Sequence, residues 1–336
     1  MRALVLSGGG ALGAFEAGAI QALSDNHDEF DIVCGTSIGA INAAFAAQDK
    51  IPQLTSLWQR IGTLDPPVID YIQQVQFAID LADEFEKIAH LNPFGIEPFL
   101  KRWTEIGSKK SFLALRGFVR PNAIETILSS NLEFTALKRS LIVTATDLTR
   151  GASEAFYAFV GANCDSMQRS FTAAFGDGAH QLTTNENLAL AVRASAAIPG
   201  AFEPVAMNLG TEGNKDFVDG GVANNVPVTL AAYAGATDIA VILLQPFQTA
   251  TPSYPTTNLL DIGMASFTVM QQTLLRQDMQ RVNESPNVTV RYIAPTTPLP
   301  LTILSFADQS GIDQAFAAGV AAASASTLLG KPEKSR

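Results

Sequence analysis

The stretch from Asp31 to Asn42 reads DIVCGTSIGAIN, and the rest of the chain is organised around it. A short apolar run, a turn with Gly-x-Ser-x-Gly spacing and an alanine-rich run predict a buried strand, a sharp turn and a helix. Ser37 occupies the centre of the turn, and Gly35 and Gly39 remove the side chains that would collide there. The N–H groups that begin the helix would stabilise negative charge beside the serine. We therefore predict that Ser37 is a catalytic nucleophile.

The composition is that of a globular protein with few charges. The chain has 336 residues, of which 47% are hydrophobic and 16% charged, and its net charge is −10. This charge argues against nucleic acid as a partner and against electrostatic attachment to anionic lipid. Any transient contact with a membrane surface is therefore expected to be apolar.

The sequence contains only weak signals for membrane insertion, secretion or metal binding. No apolar run has the length of a transmembrane segment, and the first residues lead straight into a strand pattern without a signal peptide. We therefore expect a cytoplasmic location. Cys34 and Cys164 have no metal-ligand spacing, and Cys34 has the context of a small buried thiol.

Strand and helix patterns alternate in the first fifty residues. Residues 3–6 and 31–35 are predicted strands, and each leads into a helical pattern, over 11–23 and 38–47. This order implies right-handed parallel crossovers and an α/β sheet. Further strands are expected over 140–147, 154–158, 217–218, 238–244 and 287–293, and further helices over 188–197, 258–282 and 311–329.

Helical periodicity dominates residues 51–131. The predicted helices cover 51–61, 68–91, 96–106 and 123–128. The segment 68–81 is amphipathic with a broad apolar face, which fits either packing on the sheet or a lid over an apolar substrate groove.

The glycine-rich loop Gly8–Gly13, GGGALG, follows the first strand and opens a helix. It fits a dinucleotide-binding fingerprint, and it also fits an oxyanion hole. A dinucleotide site needs an acidic residue at the end of the second strand, but Asp31 lies at its beginning. Because both turns lie at the carboxyl edge of a parallel sheet, the loop and Ser37 should be neighbours. This favours the oxyanion hole, with a dinucleotide-binding oxidoreductase as the alternative.

A nucleophilic serine needs a base, and the chain has three histidines. His27 ends the first helix at the amino edge of the sheet, and His90 ends an amphipathic helix. His180 lies in a predicted glycine-rich loop, over 176–180, and is the candidate for a triad. Asp219 follows a strand-like pair and precedes two glycines, which fits either a base acting directly or an Asx turn. Composition alone leaves both interpretations open.

Three motifs stand in order: GGGALG at 8–13, GTSIG at 35–39 and DGG at 219–221. Together they resemble the patatin-like phospholipase family. The segments ASAAIPGAFEPV at 194–205 and NVPV at 225–228 are similar to those that flank the family's aspartate.

The resemblance implies a fold and a set of site residues. The fold would be a three-layer α/β/α sandwich with a mostly parallel central sheet. Ser37 would be the nucleophile and Asp219 the base of a catalytic dyad. The oxyanion hole would be formed by Gly8, Gly9, Gly10 and Ile38, and the remaining motif glycines would be Gly13, Gly35, Gly39, Gly220 and Gly221.

The resemblance also implies a domain organisation and a substrate class. Residues 2–232 would form the catalytic region with the insertion at 51–131, and 233–336 would complete one domain spanning 1–336. The substrates would be lipid acyl esters, namely phospholipids, lysophospholipids, galactolipids or acylglycerols, and no metal or cofactor is implied. Many members carry a basic residue in the glycine loop, whereas Ala11 and Leu12 are neutral here. A non-catalytic binding protein with the same fold is a further alternative.

Overall fold

The computed structural model describes residues 1–71, 116–246, 259–283 and 287–326. Its strands are β1 Arg2–Leu6, β2 Ile32–Thr36, β3 Asp70–Tyr71, β4 Val119–Arg120, β5 Ser140–Asp147, β6 Ala152–Ala158, β7 Ala179–Gln181, β8 Val205–Asn208, β9 Asn214–Asp219, β10 Asp238–Ile242 and β11 Thr289–Ile293. Its α-helices are α1 Ala14–Asp25, α2 Ile38–Ala47, α3 Ile51–Trp58, α4 Asn122–Asn131, α5 Cys164–Phe175, α6 Asn185–Ser195, α7 Val228–Tyr233, α8 Leu259–Asn283 and α9 Gln309–Ala325.

The central sheet is mixed but mostly parallel, in the order β11-β10-β1-β2-β5-β6-β7. The first five strands of this order run parallel to one another. Strand β6 is antiparallel to β5, and β9 pairs antiparallel with both β5 and β8. The carboxyl ends of β1 and β2 therefore lie side by side, as the sequence predicts.

Side chains that alternate along the strands supply two apolar cores, one on each face of the sheet. In β1, Leu4 and Leu6 face the core built with α1, α2, α3, α6 and α9. Ala3 and Val5 face the opposite core, which contains residues of α5, α7 and α8. Helices thus cover both faces, and the predicted α/β architecture is confirmed.

Helix α1 packs closely against α9, near the end of the described chain. A Cβ on Gly18 would collide with the carbonyl of Phe316, and a Cβ on Gly319 would collide with the carbonyl of Phe15. The two backbones therefore approach each other through glycines. This packing covers the outer side of α1 and buries most of the helix.

Several secondary-structure predictions were wrong or incomplete. Asp70–Tyr71, predicted as helical, forms an antiparallel strand with Val119–Arg120, and an Asp70–Arg120 ion pair at 3.3 Å holds it. Val68 and Ile69, also predicted as helical, lie in bends before this strand. Residues 72–91 of the predicted helix and the whole predicted 96–106 helix lie outside the described residues. The predicted loop over 176–180 contains a 3-10 turn and the start of β7, which pairs with β6. Helices α5 and α7 and strand β8 were not predicted from the sequence.

No helix in the described part of the chain combines the length and apolar character needed to cross a bilayer.

Candidate active site

Ser37 lies on the sharp turn between β2 and α2. Its φ of 56° and ψ of −125° are strained values for a residue with a side chain. Two neighbouring glycines make the turn sterically feasible. A Cβ on Gly35 would meet the backbone of Gly39, and a Cβ on Gly39 would stand 2.7 Å from the Ser7 carbonyl oxygen. The Ser37 N–H donates to Ser195 Oγ at 2.8 Å, which fixes the turn from the end of α6.

Asp219 lies beside this turn because two different strands pair with the same edge of β5, one after the other. Strand β2 pairs with β5 up to Thr36 opposite Thr144, and β9 takes the same edge of β5 from Ala145 onward, where it pairs with Asp219. Asp219 therefore stands just beyond the end of β2. The Ser37 Oγ donates a hydrogen bond of 2.5 Å to Asp219 Oδ2, across 182 positions of sequence.

Burial sets the electrostatics of this pair. Ser37 is 3% exposed and Asp219 is fully buried. Burial raises the pKa of Asp219 to about 7, although the hydrogen bonds from Ser37 and the Gly221 N–H act to lower it. A carboxylate with this pKa can accept the serine proton near neutral pH.

The glycine loop brings backbone donors to the same edge. Gly10 has a φ of +59°, and a Cβ there would collide with Ile303, whose carbonyl accepts the Ala11 N–H at 2.9 Å. No described residue accepts a hydrogen bond from the N–H groups of Gly9, Gly10 and Ile38. They remain free to face an oxyanion.

Gly8 differs from the other predicted donors of the loop. Its N–H donates to the Asn225 carbonyl oxygen at 3.2 Å and is already engaged. The expectation that Gly8 is an oxyanion donor therefore needs correction, because a single N–H cannot serve both acceptors well.

The remaining motif glycines allow close packing around the site. A Cβ on Gly13 would stand 2.5 Å from Ile38 Cγ1, and a Cβ on Gly220 would stand 2.5 Å from Thr144 Oγ1. A Cβ on Gly221 would lie 3.0 Å from Asp219 Oδ1. Gly13 thus allows close packing against Ile38, Gly220 against Thr144, and Gly221 against Asp219.

None of the described histidines joins Ser37. His180 is hydrogen-bonded to buried Glu154 on β6, and His27 follows α1 at the amino edge of the sheet. His90 lies outside the described residues. The hydrogen bond of Ser37 to Asp219 therefore fits a dyad, while a triad through His180 has no such contact.

A dinucleotide site would require an acidic residue at the end of β2, and none is there. Thr36 stands there, and its hydroxyl contacts Thr144 Oγ1 at 2.6 Å and the Asn224 carbonyl at 3.0 Å. Asp31, at the beginning of β2, accepts the Arg2 N–H at 2.8 Å at the opposite edge. Among the described residues no group of three or more His, Cys, Asp or Glu side chains is placed to hold a metal.

An apolar cavity of about 30 Å³ opens beside Ser37. It is lined by Gly10, Ser37, Ile38, Ile41, Leu57, Trp58, Ile61, Val68, Ile124, Ile127, Ala196, Ile198, Phe202 and Phe306. Apart from the serine, these side chains offer apolar surface to a bound molecule, which suits a hydrocarbon chain.

Two groups of residues at the site were not predicted from the sequence. Ser195 was quoted only within the 194–205 segment, and its bond to Ser37 has no local signal. Trp58 and Phe306 come from regions far apart in sequence, and their rings stack 6.4 Å apart in the cavity wall. Such pairs emerge only from the tertiary fold.

Comparison with known proteins gives matches in sequence and in structure. Residues 4–232, which include Ser37 and Asp219, match the family model described as patatin-like phospholipase. The uncharacterized protein YqhO of Bacillus subtilis is 26% identical over 277 residues, covering 80% of this chain and 79% of YqhO. Lysophospholipase nte1 of Aspergillus terreus is 36% identical over 86 residues, which are 22% of this chain and 6% of nte1.

Two solved structures align with most of this chain at 15% identity. VipD from Legionella pneumophila aligns over 95% of this chain and 67% of its own, with a TM-score of 0.36. The type III effector protein ExoU aligns over 96% of this chain and 52% of its own, with a TM-score of 0.34.

Proposed function

This chain belongs to the patatin-like phospholipase family, and we propose that it is a serine hydrolase of lipid acyl esters that works through a Ser37–Asp219 dyad. The observation that carries the proposal is the 2.5 Å hydrogen bond between these side chains at the mouth of an apolar cavity. The strained backbone of Ser37 supports it, because such strain persists where function requires it.

The first half of the reaction transfers the acyl group to the serine. Asp219 takes the proton of Ser37 as Oγ attacks the ester carbonyl carbon. The negative oxygen of the tetrahedral intermediate then faces the N–H groups of Gly9, Gly10 and Ile38. When the intermediate collapses, the ester C–O bond breaks and the departing alcohol takes the proton from Asp219.

The second half releases the acid. Asp219 takes a proton from a water molecule, whose oxygen attacks the acyl-serine carbonyl carbon. The bond to Ser37 Oγ breaks, and Oγ receives the proton back from Asp219. One ester and one water thus give one acid and one alcohol, and both dyad residues return to their starting state.

The apolar cavity supports a fatty acyl chain as the part of the substrate that is held. Ala11 and Leu12 provide no charge in the glycine loop, so this loop offers no counter-charge to a phosphate. We therefore extend to this chain the lipid ester class that the lysophospholipase name of nte1 suggests, without its head-group preference.

An activity-based label tests the nucleophile. A fluorophosphonate probe should label the wild-type protein and fail to label Ser37→Ala. Asp219→Asn should lose about 10²–10⁴-fold in hydrolysis of short p-nitrophenyl esters, because the base is removed. His180→Ala serves as the control and should retain activity. Equal labelling of wild type and Ser37→Ala would overturn the nucleophile, and an active Asp219→Asn with an inactive His180→Ala would replace the dyad by a triad.

A substrate panel tests the acyl ester class. Phospholipids, acylglycerols and p-nitrophenyl esters are incubated with wild type and Ser37→Ala, and the released acids are measured. Release of fatty acid that depends on Ser37 is expected from at least one lipid class. Turnover restricted to acetyl esters would argue against a lipid substrate.

A further inference from the structure

A network of buried polar side chains lies behind the glycine loop and takes no part in the dyad. We define it as Ser7, Glu16, Asn42 and Trp58. Glu16 is fully buried on α1, and its Oε2 accepts a hydrogen bond from Asn42 Nδ2 at 2.9 Å. The indole N–H of Trp58 donates to Asn42 Oδ1 at 3.0 Å. A buried carboxyl group costs free energy unless it is hydrogen-bonded, so its presence here calls for a structural or functional reason.

The network joins the two elements that carry the proposed oxyanion donors. Ser7 directly precedes the glycine loop, and its hydroxyl lies 3.1 Å from the Ile242 carbonyl oxygen and 3.5 Å from Glu16 Oε1. Asn42 belongs to α2, which begins next to Ser37, and its Nδ2 also donates to the Gly13 carbonyl at 3.1 Å. Glu16 and Asn42 therefore connect both ends of the loop to the helix of the nucleophile.

The other end of the network faces the cavity. The Trp58 ring lines the cavity together with Ser37, and Trp58 Cζ2 would lie 3.2 Å from a Cβ on Gly13. An acyl chain long enough to reach this ring would press on the residue that holds Asn42 in place. Contacts made far from the reacting carbon can raise kcat when they improve the alignment of the catalytic groups.

We propose that Glu16 and Asn42 are positioning residues that align the glycine-loop donors with Ser37, and that Trp58 makes this alignment responsive to the length of the acyl chain. The proposal rests on the proposed function and concerns residues outside the dyad. It assigns a role to a buried acid that the hydrolytic steps leave unused.

The protonation state of Glu16 suggests a conservative replacement. Burial raises the pKa of Glu16 well above its ordinary value, against the hydrogen bonds from Asn42 and Ser7, which act to lower it. Its neutral form is therefore favoured, and a neutral carboxyl can both accept and donate a hydrogen bond. Glutamine offers the same pair of functions at nearly the same size.

The first experiment measures kcat and KM for p-nitrophenyl butyrate. Glu16→Leu, which keeps the volume and removes the hydrogen bonds, should lower kcat by about 10–100-fold with little change in KM, because the donors lose alignment. Asn42→Ala should act in the same direction. Glu16→Gln should restore kcat to within about threefold of wild type, since its amide replaces the neutral acid.

A control variant separates alignment from stability. Gln48 is a buried amide just after α2, bonded to the Ala44 carbonyl and the Glu133 N–H, at the end far from the loop. Gln48→Leu should lower Tm and leave kcat unchanged. A kcat of Glu16→Leu and Asn42→Ala equal to that of wild type would overturn the positioning role. An equal loss in Gln48→Leu would overturn it as well.

The second experiment varies acyl length from acetyl to dodecanoyl esters. In wild type, kcat should rise once the acyl chain is long enough to reach Trp58. In Trp58→Phe, which keeps a ring and removes the N–H, kcat should become independent of length while KM still falls. Phe306→Leu removes the ring that stacks on Trp58 but none of the hydrogen bonds of the network, so it should weaken long-chain binding and keep the rise in kcat.

The outcomes separate this inference from the proposed function. An unchanged rise of kcat with length in Trp58→Phe would overturn the link to the cavity. A wild-type protein without turnover or Ser37 labelling would defeat the proposed function itself. Turnover by wild type with unaltered kcat in the network variants would defeat only the inference.

Discussion

The burial of one carboxyl group decides the pH range of the proposed reaction. Asp219 can take the serine proton only when it is ionised, and burial raises its pKa to about 7. We expect kcat/KM to rise tenfold per pH unit below about pH 7 and to level off above it. The pH profile of ester hydrolysis measures this, with Asp219→Asn as the control that should lack the transition. A wild-type plateau that extends down to pH 5 would contradict the assignment of Asp219 as the base.

The burial of Asp219 also makes the stability of the folded protein depend on pH, and stability should fall over the pH range in which activity rises. The folded protein holds the Asp219 proton more tightly than the unfolded chain, because the folded pKa is raised from 3.8 to about 7. Protonation of Asp219 therefore stabilises the folded state fully below about pH 3.8, and this stabilisation is lost as the pH rises to about 7. Asp219→Asn removes the buried charge, so its Tm advantage over wild type should grow from pH 4 to 7 and then stay constant. Thermal unfolding at several pH values tests this, and an advantage that shrinks over that range would contradict it.

A methyl group added at Gly39 should disturb the turn that carries Ser37. A Cβ on Gly39 would stand 2.7 Å from the carbonyl oxygens of Leu6 and Ser7, and both are backbone atoms at the end of β1. Gly39→Ala should therefore push α2 from the sheet, cost about 1–3 kcal/mol and lower kcat/KM by about 100-fold. Measurements of Tm and of ester hydrolysis check both effects.

Gly263 on α8 provides the matched control for that substitution. A Cβ there would meet no atom within 4 Å, and alanine favours a helix over glycine by about 1 kcal/mol. Gly263→Ala should keep full activity and hold or raise Tm. If both substitutions had the same effect, the close approach at Gly39 would not be the cause.

Features that neighbouring residues determine could be predicted from the sequence, whereas features that depend on distant contacts could not. The turn around Ser37 could be predicted, because Gly35, Gly39 and the strand before them determine its steric limits. Strand Ser140–Asp147 and helix Ile38–Ala47 agree with their predicted bounds, since each is long and mostly apolar. Glu16 stands within an apolar helical pattern, but its burial depends on the distant network and on α9 packing over α1.

The pairing of Ser37 with Asp219 required knowledge of the whole sheet. The motif resemblance implied that the two residues cooperate, yet the sequence cannot show that β9 replaces β2 along β5 after Thr144. Strand β8, which pairs with β9, was missed for the same reason: its four residues acquire a partner only in the folded sheet.

A cluster of buried charges joins distant parts of the molecule next to β9. Lys215 on β9 is 8% exposed and lies 3.3 Å from Asp147 of β5, 3.9 Å from Glu154 of β6 and 2.5 Å from Glu212. Lys215→Met would leave the fully buried carboxylates of Asp147 and Glu154 without this cation. Such a loss costs about 3–5 kcal/mol, so Tm should fall by about 5–20 °C near neutral pH.

A surface ion pair is the control for this prediction. Lys138 lies 3.4 Å from Asp49, and its side chain is 66% exposed. Lys138→Met should change stability by less than about 1 kcal/mol, because solvent screens exposed pairs. Thermal unfolding of both variants at pH 7.5 tests the contrast. Equal changes in Tm would show that burial of the Lys215 cluster does not matter.

The placement of Asp219 beyond the end of β2 also has a consequence for protein synthesis. The ribosome makes Ser37 early and Asp219 182 residues later, and the hydrogen bond between them forms only when β9 pairs with β5. A growing chain that ends before residue 219 therefore has the serine without its acceptor. The order of translation thus delays completion of the proposed Ser37–Asp219 pair until most of the central sheet can assemble.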